Sequence, residues 1–190
     1  MMNLEFVFQT LTNVWVVGEV LITLFTTTRE GSGKIQDRGT QIILWVILLL
    51  SFKVEEWIHR FFPIDMPGGH SWLRPAASGI LILGLAIRAI AIVTLGGAFS
   101  ANVATRAGQR LERSGVYRLV RHPSYLGLEL ILLALALHSR TWACFAVALV
   151  PPTLAVLNRI HVEETALHLA FGADYEDYCQ TTKRLIPGVY

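Results

Sequence analysis

Charge is scarce in this chain. Asp, Glu, Lys and Arg make up 16% of its 190 residues, against a hydrophobic share of 53%. A soluble domain carries about 25% charged residues, so the shortfall points to a membrane protein. The two signs nearly cancel, with 16 basic and 14 acidic residues for a net charge of +2. That leaves no broad basic field of the kind that draws a nucleic acid, and the basic residues matter by position instead. Cysteine is rarer still. Cys144 and Cys179 stand far apart with no CxxC pair, which excludes a disulfide scaffold and a cysteine zinc site. No basic segment precedes the first apolar stretch and no clear cleavage site follows it. That stretch therefore reads as an anchor helix and not as a removed signal peptide. Internal repeats, low-complexity tracts and interdomain linkers are also missing, and the length suits one domain over 1–190. Gly31-Ser32-Gly33-Lys34 lacks the upstream glycine and the following Ser or Thr of a phosphate loop.

Long apolar runs are what the chain does have. A membrane-spanning helix needs about 20 mainly apolar residues. Leu4–Thr28 and Arg74–Leu95 qualify. Thr40–Phe52 is shorter and reads as continuing in a helix through Lys53, Glu55, Glu56 and Trp57. Pro123–His138 and Trp142–Leu157 form an antiparallel pair about the turn Ser139–Thr141, with Pro151-Pro152 expected to kink the second. Beyond Asn158 the chain turns polar, and Arg159–Gln180 reads as an amphipathic helix interrupted near Gly172. The expected fold is all-α: an integral membrane protein with about five transmembrane helices and a C-terminal amphipathic cytosolic helix. Eleven Lys and Arg fall on the side of the first loop, the Arg-rich segment Gly96–Arg121 and the C-terminal region, and four on the other. The positive-inside rule places those three segments in the cytosol and the N-terminus outside. Glu19 and Arg88 lie inside spans. An intramembrane charge is costly and seeks a partner, and Glu19 is one candidate for Arg88.

Arg121-His122-Pro123-Ser124-Tyr125 stands where the Arg-rich segment meets an apolar run. Proline suits the first turn of a helix, because its fixed φ fits and its missing N–H has no helical partner there. A helix beginning at about His122–Pro123 directs unpaired N–H groups and the positive end of its dipole toward an anion. His122 and Tyr125, three apart, share one side of that turn. The same five residues also suit a basic anchor among phospholipid headgroups. Further on, Arg159 and Glu163 are four apart and share a helix face, with Glu164 beside them. An ordinary surface salt bridge worth a few tenths of a kcal/mol fits that spacing too.

Taken in order, these pieces form a set. Ser114-Gly115-Val116-Tyr117-Arg118 is followed by Val120-Arg121-His122-Pro123-Ser124-Tyr125-Leu126-Gly127 and by Arg159 with Glu163-Glu164. Phe171-Gly172-Ala173-Asp174-Tyr175, Tyr178 and Arg184-Leu185-Ile186-Pro187-Gly188 complete it. The set resembles the isoprenylcysteine carboxyl methyltransferase family, over roughly Leu95 to the C-terminus. The small number of N-terminal spans, within 4–95, looks like a short prokaryotic-type member, with 96–190 as the cofactor-binding and catalytic half. The resemblance implies S-adenosylmethionine as cofactor and a lipophilic or prenylated acceptor reached from the membrane lipids. It implies that Gln109, Arg110, Leu111 and Glu112 approach the cofactor largely through backbone and that Tyr117 lines its pocket. His122, Pro123, Ser124 and Tyr125 would hold its amino-acid end, with Glu163 and Glu164 as further contacts and Asn102 as another. Arg159 would bind the acceptor carboxylate, so that Arg159 and Glu163 form the expected catalytic pair. Glu112 stands where a small apolar residue is expected.

The chemistry of the residue types agrees. Glu163 or Glu164 answers an amine, Tyr117 or Tyr125 offers a ring face to positive charge, and an Arg fork suits a carboxylate. Two other readings stay open on the sequence: an NADPH-dependent sterol or enone reductase on a similar scaffold, and a non-catalytic protein that binds anionic lipid through its Arg-rich loop. Among the remaining residues, Glu129 reads as a polar contact inside the bundle. His138, His161 and His168 lack metal spacing and read as interfacial or solvated. Trp72, Trp142 and Tyr190 read as interface anchors, and Tyr175, Asp177 and Tyr178 as packing and solvating groups of the terminal helix.

Overall fold

The fold comes from a computed structural model that describes residues 3–26, 39–61, 72–99, 111–139 and 141–190, with the backbone alone at 34–35 and 104–105. Five long helices and one short one account for most of the described chain. They are α1 (Leu4–Thr26), α2 (Thr40–Phe61), α3 (Leu73–Leu95), α4 (Pro123–His138), α5 (Trp142–Phe171) and α6 (Ala173–Thr181). Two-residue strands, β1 (Lys34–Ile35) and β2 (Ala104–Thr105), pair antiparallel. Short 3₁₀ turns occupy Gly96–Ala98 and Gly115–Arg118.

Three stretches are long and apolar enough to cross a membrane: Leu4–Thr26, Leu73–Ala98 and Trp142–Phe171. Helix α4 is apolar but has only 16 residues, and α2 carries Lys53, Glu55, Glu56 and Arg60 in its second half. Large apolar side chains face outward along these helices, among them Leu24 at 70% exposure, Ile42 at 70% and Val93 at 78%. A protein dissolved in water does not leave such a belt uncovered. The chain is an integral membrane protein.

The helices pack in the order α1, α3, α4, α5, α2, while the sequence neighbours α1 and α2 barely touch. The bundle is thus a horseshoe, open between its first and last members. Its tightest joint is α3 on α4. Gly84 and Gly127 meet there: a Cβ at Gly127 would lie 2.7 Å from the Gly84 carbonyl oxygen and 2.7 Å from the Arg88 nitrogen. Glycine is what permits this approach.

Helix α5 departs from the sequence expectation. A span ending at Leu157 and a separate helix from Arg159 were expected, but one helix runs unbroken over Trp142–Phe171 with Pro151 and Pro152 inside it. Polarity at Asn158 marks where the helix leaves its apolar surroundings, and neither Asn nor Arg interrupts the backbone ladder. The expected interruption near Gly172 is present: φ there is +53°, in the left-handed half of the map that suits glycine. Thr141 caps α5 by accepting from the Cys144 N–H at 3.2 Å, while Arg140, the middle of the expected turn Ser139–Thr141, lies outside the described residues.

The N-terminal end of the bundle is tied by Glu5, which pairs with His138 at 3.0 Å and Arg74 at 3.7 Å. His138 also stacks on Phe8 at 3.9 Å, so its ring is packed at this end of the bundle.

Candidate functional site

The opposite end of the bundle gathers remote parts of the sequence. Helix α4 begins at Pro123, as its residue type dictates, with His122 in the cap position. The C-terminal tail runs alongside: the Arg121 N–H donates to the Lys183 carbonyl at 2.7 Å and the His122 N–H to that of Arg184 at 3.0 Å. Val120 and Lys183 form a parallel bridge. Glu164, 6% exposed, is the hub. Its carboxylate pairs with Arg121 at 3.1 Å, Arg184 at 2.8 Å and the His122 ring at 3.4 Å. One residue of α5 therefore fixes both the start of α4 and the tail.

Five residues earlier on α5, Arg159 is 4% exposed. Its Nε donates to the Tyr125 hydroxyl at 2.9 Å and its Nη1 to Thr40 Oγ1 at 3.0 Å. The segments near 122 and near 160 do converge. An arginine taken out of water needs such partners, and these come from α2 and α4.

A cleft of about 1350 Å³, its open mouth included, runs between the helices from this end. Leu111, Glu112, Tyr117, His122, Ser124, Tyr125, Arg159 and Glu163 all border it. Glu164 and Pro123 do not; they support the wall from behind. Gln109, Arg110 and Asn102 lie outside the described residues. Glu112 accepts the Ser114 N–H at 2.8 Å, and hydrogen bonding with Ser114 holds its carboxyl below the usual value. Tyr117 donates to the Ala91 carbonyl at 3.3 Å, and Tyr178 to the Tyr117 carbonyl at 2.6 Å. Burial pushes the Tyr117 hydroxyl well above its usual range and that of Tyr178 up to about 12. Both rings stay neutral at physiological pH.

Other residues of the cleft were not expected from the sequence. Tyr175 and Tyr178, read as packing and solvating groups, are 0% and 4% exposed and border it. Glu19 and Arg88 do pair, through two contacts of which Nη2 to Oε2 measures 2.6 Å. Arg88 Nη1 also donates to the Ser124 carbonyl at 3.0 Å and hydroxyl at 2.8 Å, and Trp15 Nε1 donates to Glu19 at 3.1 Å. The costly intramembrane charges thus link α1 and α3 to the first turn of α4. Their rarity within apolar spans was the available signal. Thr40 offered none. Glu129 is a bundle contact as expected, accepting from Thr153 at 2.7 Å.

Away from the polar end the cleft becomes apolar, bordered by Trp15, Ile22, Leu44, Trp45, Leu48 and Leu128. It joins a charged, hydrogen-bonding chamber to an oily arm between α1 and α2. Such a shape takes a charged group at one end and a hydrocarbon at the other.

Residues 77–169 match the profile of the isoprenylcysteine carboxyl methyltransferase (ICMT) family. Protein-S-isoprenylcysteine O-methyltransferase B of Arabidopsis thaliana is 29% identical over 168 residues, covering 84% of this chain and 82% of that protein. A probable protein-S-isoprenylcysteine O-methyltransferase of Oryza sativa subsp. indica is 33% identical over 114 residues, covering 57% of this chain and 58% of that protein. The solved structure of the eukaryotic intramembrane Ras methyltransferase ICMT superposes with a TM-score of 0.63 at 27% identity, over 78% of this chain and 53% of that one. The chain thus spans most of the Arabidopsis relative but little more than half of the rice protein and of the solved enzyme.

Proposed function

Since the chain belongs to the isoprenylcysteine carboxyl methyltransferase family and is an enzyme of that kind, we propose that it transfers a methyl group from S-adenosylmethionine to a carboxylate of a lipophilic, isoprenylcysteine-like acceptor at the cytosolic membrane face. One observation carries this reading: Arg159 is buried on the cleft wall with the Tyr125 hydroxyl on its Nε, so a carboxylate-binding fork sits beside the first turn of α4.

The residues of the chamber fit the cofactor. When bound, S-adenosylmethionine supplies a methyl carbon on a positively charged sulfur; the acceptor oxygen bonds to that carbon as the carbon–sulfur bond breaks, leaving an ester and a neutral thioether. Tyr117 and Tyr178 stay neutral and offer ring faces to a cation. Glu163 answers an ammonium group. The first-turn N–H groups of Ser124 and Tyr125 have no acceptor within the helix and attract a carboxylate. Leu111 and Glu112 contribute through backbone, together with Gln109 and Arg110. Pro123, His122 and Glu164 act by holding that turn in place. Arg159 binds and orients the acceptor carboxylate, which is already ionised near neutral pH and needs no general base. Orientation is then the main demand on the protein.

The acceptor enters sideways. The gap between α1 and α2 faces the bilayer, and a hydrogen bond from Gln41 to Thr23 at 3.3 Å bridges it near the polar end. The whole chain works as one domain with five spans, α1 to α5, and the N-terminus outside. In support, the three segments with most Lys and Arg meet at one end of the bundle: β1 pairs with β2, and the tail lies along Arg121 and His122. Helix α6 then lies at the cytosolic surface. The matching profile is one of methyltransferases, which leaves the reductase and lipid-binding alternatives without comparable support.

The test uses purified protein in lipid nanodiscs with methyl-labelled S-adenosylmethionine and N-acetyl-S-farnesylcysteine. Label should pass to the acceptor as a base-labile ester. Arg159→Ala should abolish turnover while cofactor binding stays within a few-fold. Equal turnover in that variant ends the role given to Arg159, and saturable NADPH binding in place of S-adenosylmethionine binding ends the reading as a whole.

A further inference from the structure

The apolar arm has a definite end. Along α2 the cleft is bordered by Gln41, Leu44, Trp45 and Leu48, a series that advances one turn at a time away from Thr40 and Arg159. Beyond it lies a second, smaller void bordered by Leu48, Ser51, Phe52, Glu55, Leu132 and Ala148. The progression repeats on α4, where Leu128 borders the cleft and Leu132 the void. Among the described residues, Leu48 alone borders both spaces, and it is 5% exposed. Its side chain is therefore the partition between them.

We propose that Leu48 is the floor of the acceptor's hydrocarbon arm and sets the longest isoprenoid tail the enzyme accepts. The inference rests on the functional reading above and names the specificity determinant of that same site. With the acceptor carboxylate on Arg159, which holds Thr40, the tail descends beside α2. From Thr40 to Leu48 is eight residues, or about 12 Å of helix at the α-helical rise. From Leu48 to Glu55, at the far end of the void, is about 10 Å more. Removing the partition joins the arm to this small void, whose walls are the apolar Phe52, Leu132, Leu135 and Ala148 with the polar Ser51 and Glu55. A tail too long for the arm must fold back against Leu44, Trp45 and Leu128 or leave a segment in the α1–α2 gap. Either outcome loses contacts that a shorter tail makes.

The experiment compares geranyl, farnesyl and geranylgeranyl forms of N-acetylcysteine on wild type, Leu48→Ala, Leu48→Ile and Leu48→Phe in nanodiscs. Two readouts are taken: binding, through quenching of Trp15 and Trp45 in the cleft wall, and methyl transfer. Leu48→Ala should raise the geranylgeranyl-to-farnesyl ratio of kcat/KM roughly tenfold or more, in the range expected for small apolar size differences in a pocket. Leu48→Phe should move preference toward geranyl, and Leu48→Ile should leave the order unchanged. An unchanged ratio in Leu48→Ala, with all three acceptors still bound, overturns the floor and leaves the methyltransferase reading intact. Chain-length-dependent binding that shifts in Leu48→Ala without any methyl transfer upholds the floor and overturns the methyltransferase reading. Absence of binding by wild type overturns both.

Discussion

The contact of α3 with α4 gives the sharpest test of how the site is held, because a single methyl group decides it. Gly127→Ala places a Cβ 2.7 Å from the Gly84 carbonyl oxygen, 2.7 Å from the Arg88 nitrogen and 2.8 Å from the Arg88 Cβ. Two of these are backbone atoms of α3 and none is the end of a flexible side chain, so relief requires the two helices to separate. Overpacking of this kind costs about 1–3 kcal/mol. For a chain of this length each kcal/mol shifts the melting temperature by roughly 2–4 °C. Gly79→Ala is the matched control. It lies on α3 too, but a Cβ there meets nothing within 4 Å, so the helical preference of alanine should stabilise by up to about 1 kcal/mol. The same substitution thus has opposite signs at two positions of one joint's helices. Thermal unfolding in a single detergent, followed by circular dichroism, measures both. Ser124 lies one turn before Gly127, and Arg88 holds it at 2.8 and 3.0 Å. Separation of the helices should therefore also weaken S-adenosylmethionine binding in Gly127→Ala and leave it unchanged in Gly79→Ala. Equal melting shifts in the two variants would refute the idea that close backbone contact positions the first turn of α4.

Other expected outcomes follow from single contacts. Removing one partner of the Glu19–Arg88 pair, as in Glu19→Leu, should cost about 3–5 kcal/mol by stranding a buried charge, while Glu19→Leu with Arg88→Met should recover much of it; a double-mutant cycle in detergent unfolding reads the difference. Tyr178→Phe should cost about 0.5–1.5 kcal/mol through its lost hydrogen bond to the Tyr117 carbonyl, measured by the same unfolding. The Tyr178 hydroxyl is raised from 10.0 to about 12 by burial, so the stability it contributes is complete below pH 10 and is lost as pH rises from about 10 to 12. Wild type should therefore fall more steeply over that window than Tyr178→Phe. Glu164→Gln should release the tail from Arg121 and Arg184, seen as faster amide exchange at Arg121 and His122, whose N–H groups bond the tail.

Much of this protein was legible in one dimension. Membrane character follows from composition, because a chain with so few charges cannot cover itself in water. The start of α4 follows from Pro123, whose ring fits a first helical turn, and the break before α6 from Gly172, which tolerates positive φ. The ordered motifs from Tyr117 to Arg184 pointed to the family, since residue types at a site are bound to its chemistry. The continuity of α5 was hidden, because polarity reports on surroundings and not on backbone. Most pairings across the bundle were hidden as well. Glu19 was legible as a candidate for Arg88 because charges are rare inside spans, but the two are 69 residues apart and only packing brings them together. Thr40 on Arg159, Glu164 as the hub of the tail, and the partition at Leu48 belong to the same class. Each depends on which faces of separate helices meet, and helical periodicity specifies a face without naming its neighbour.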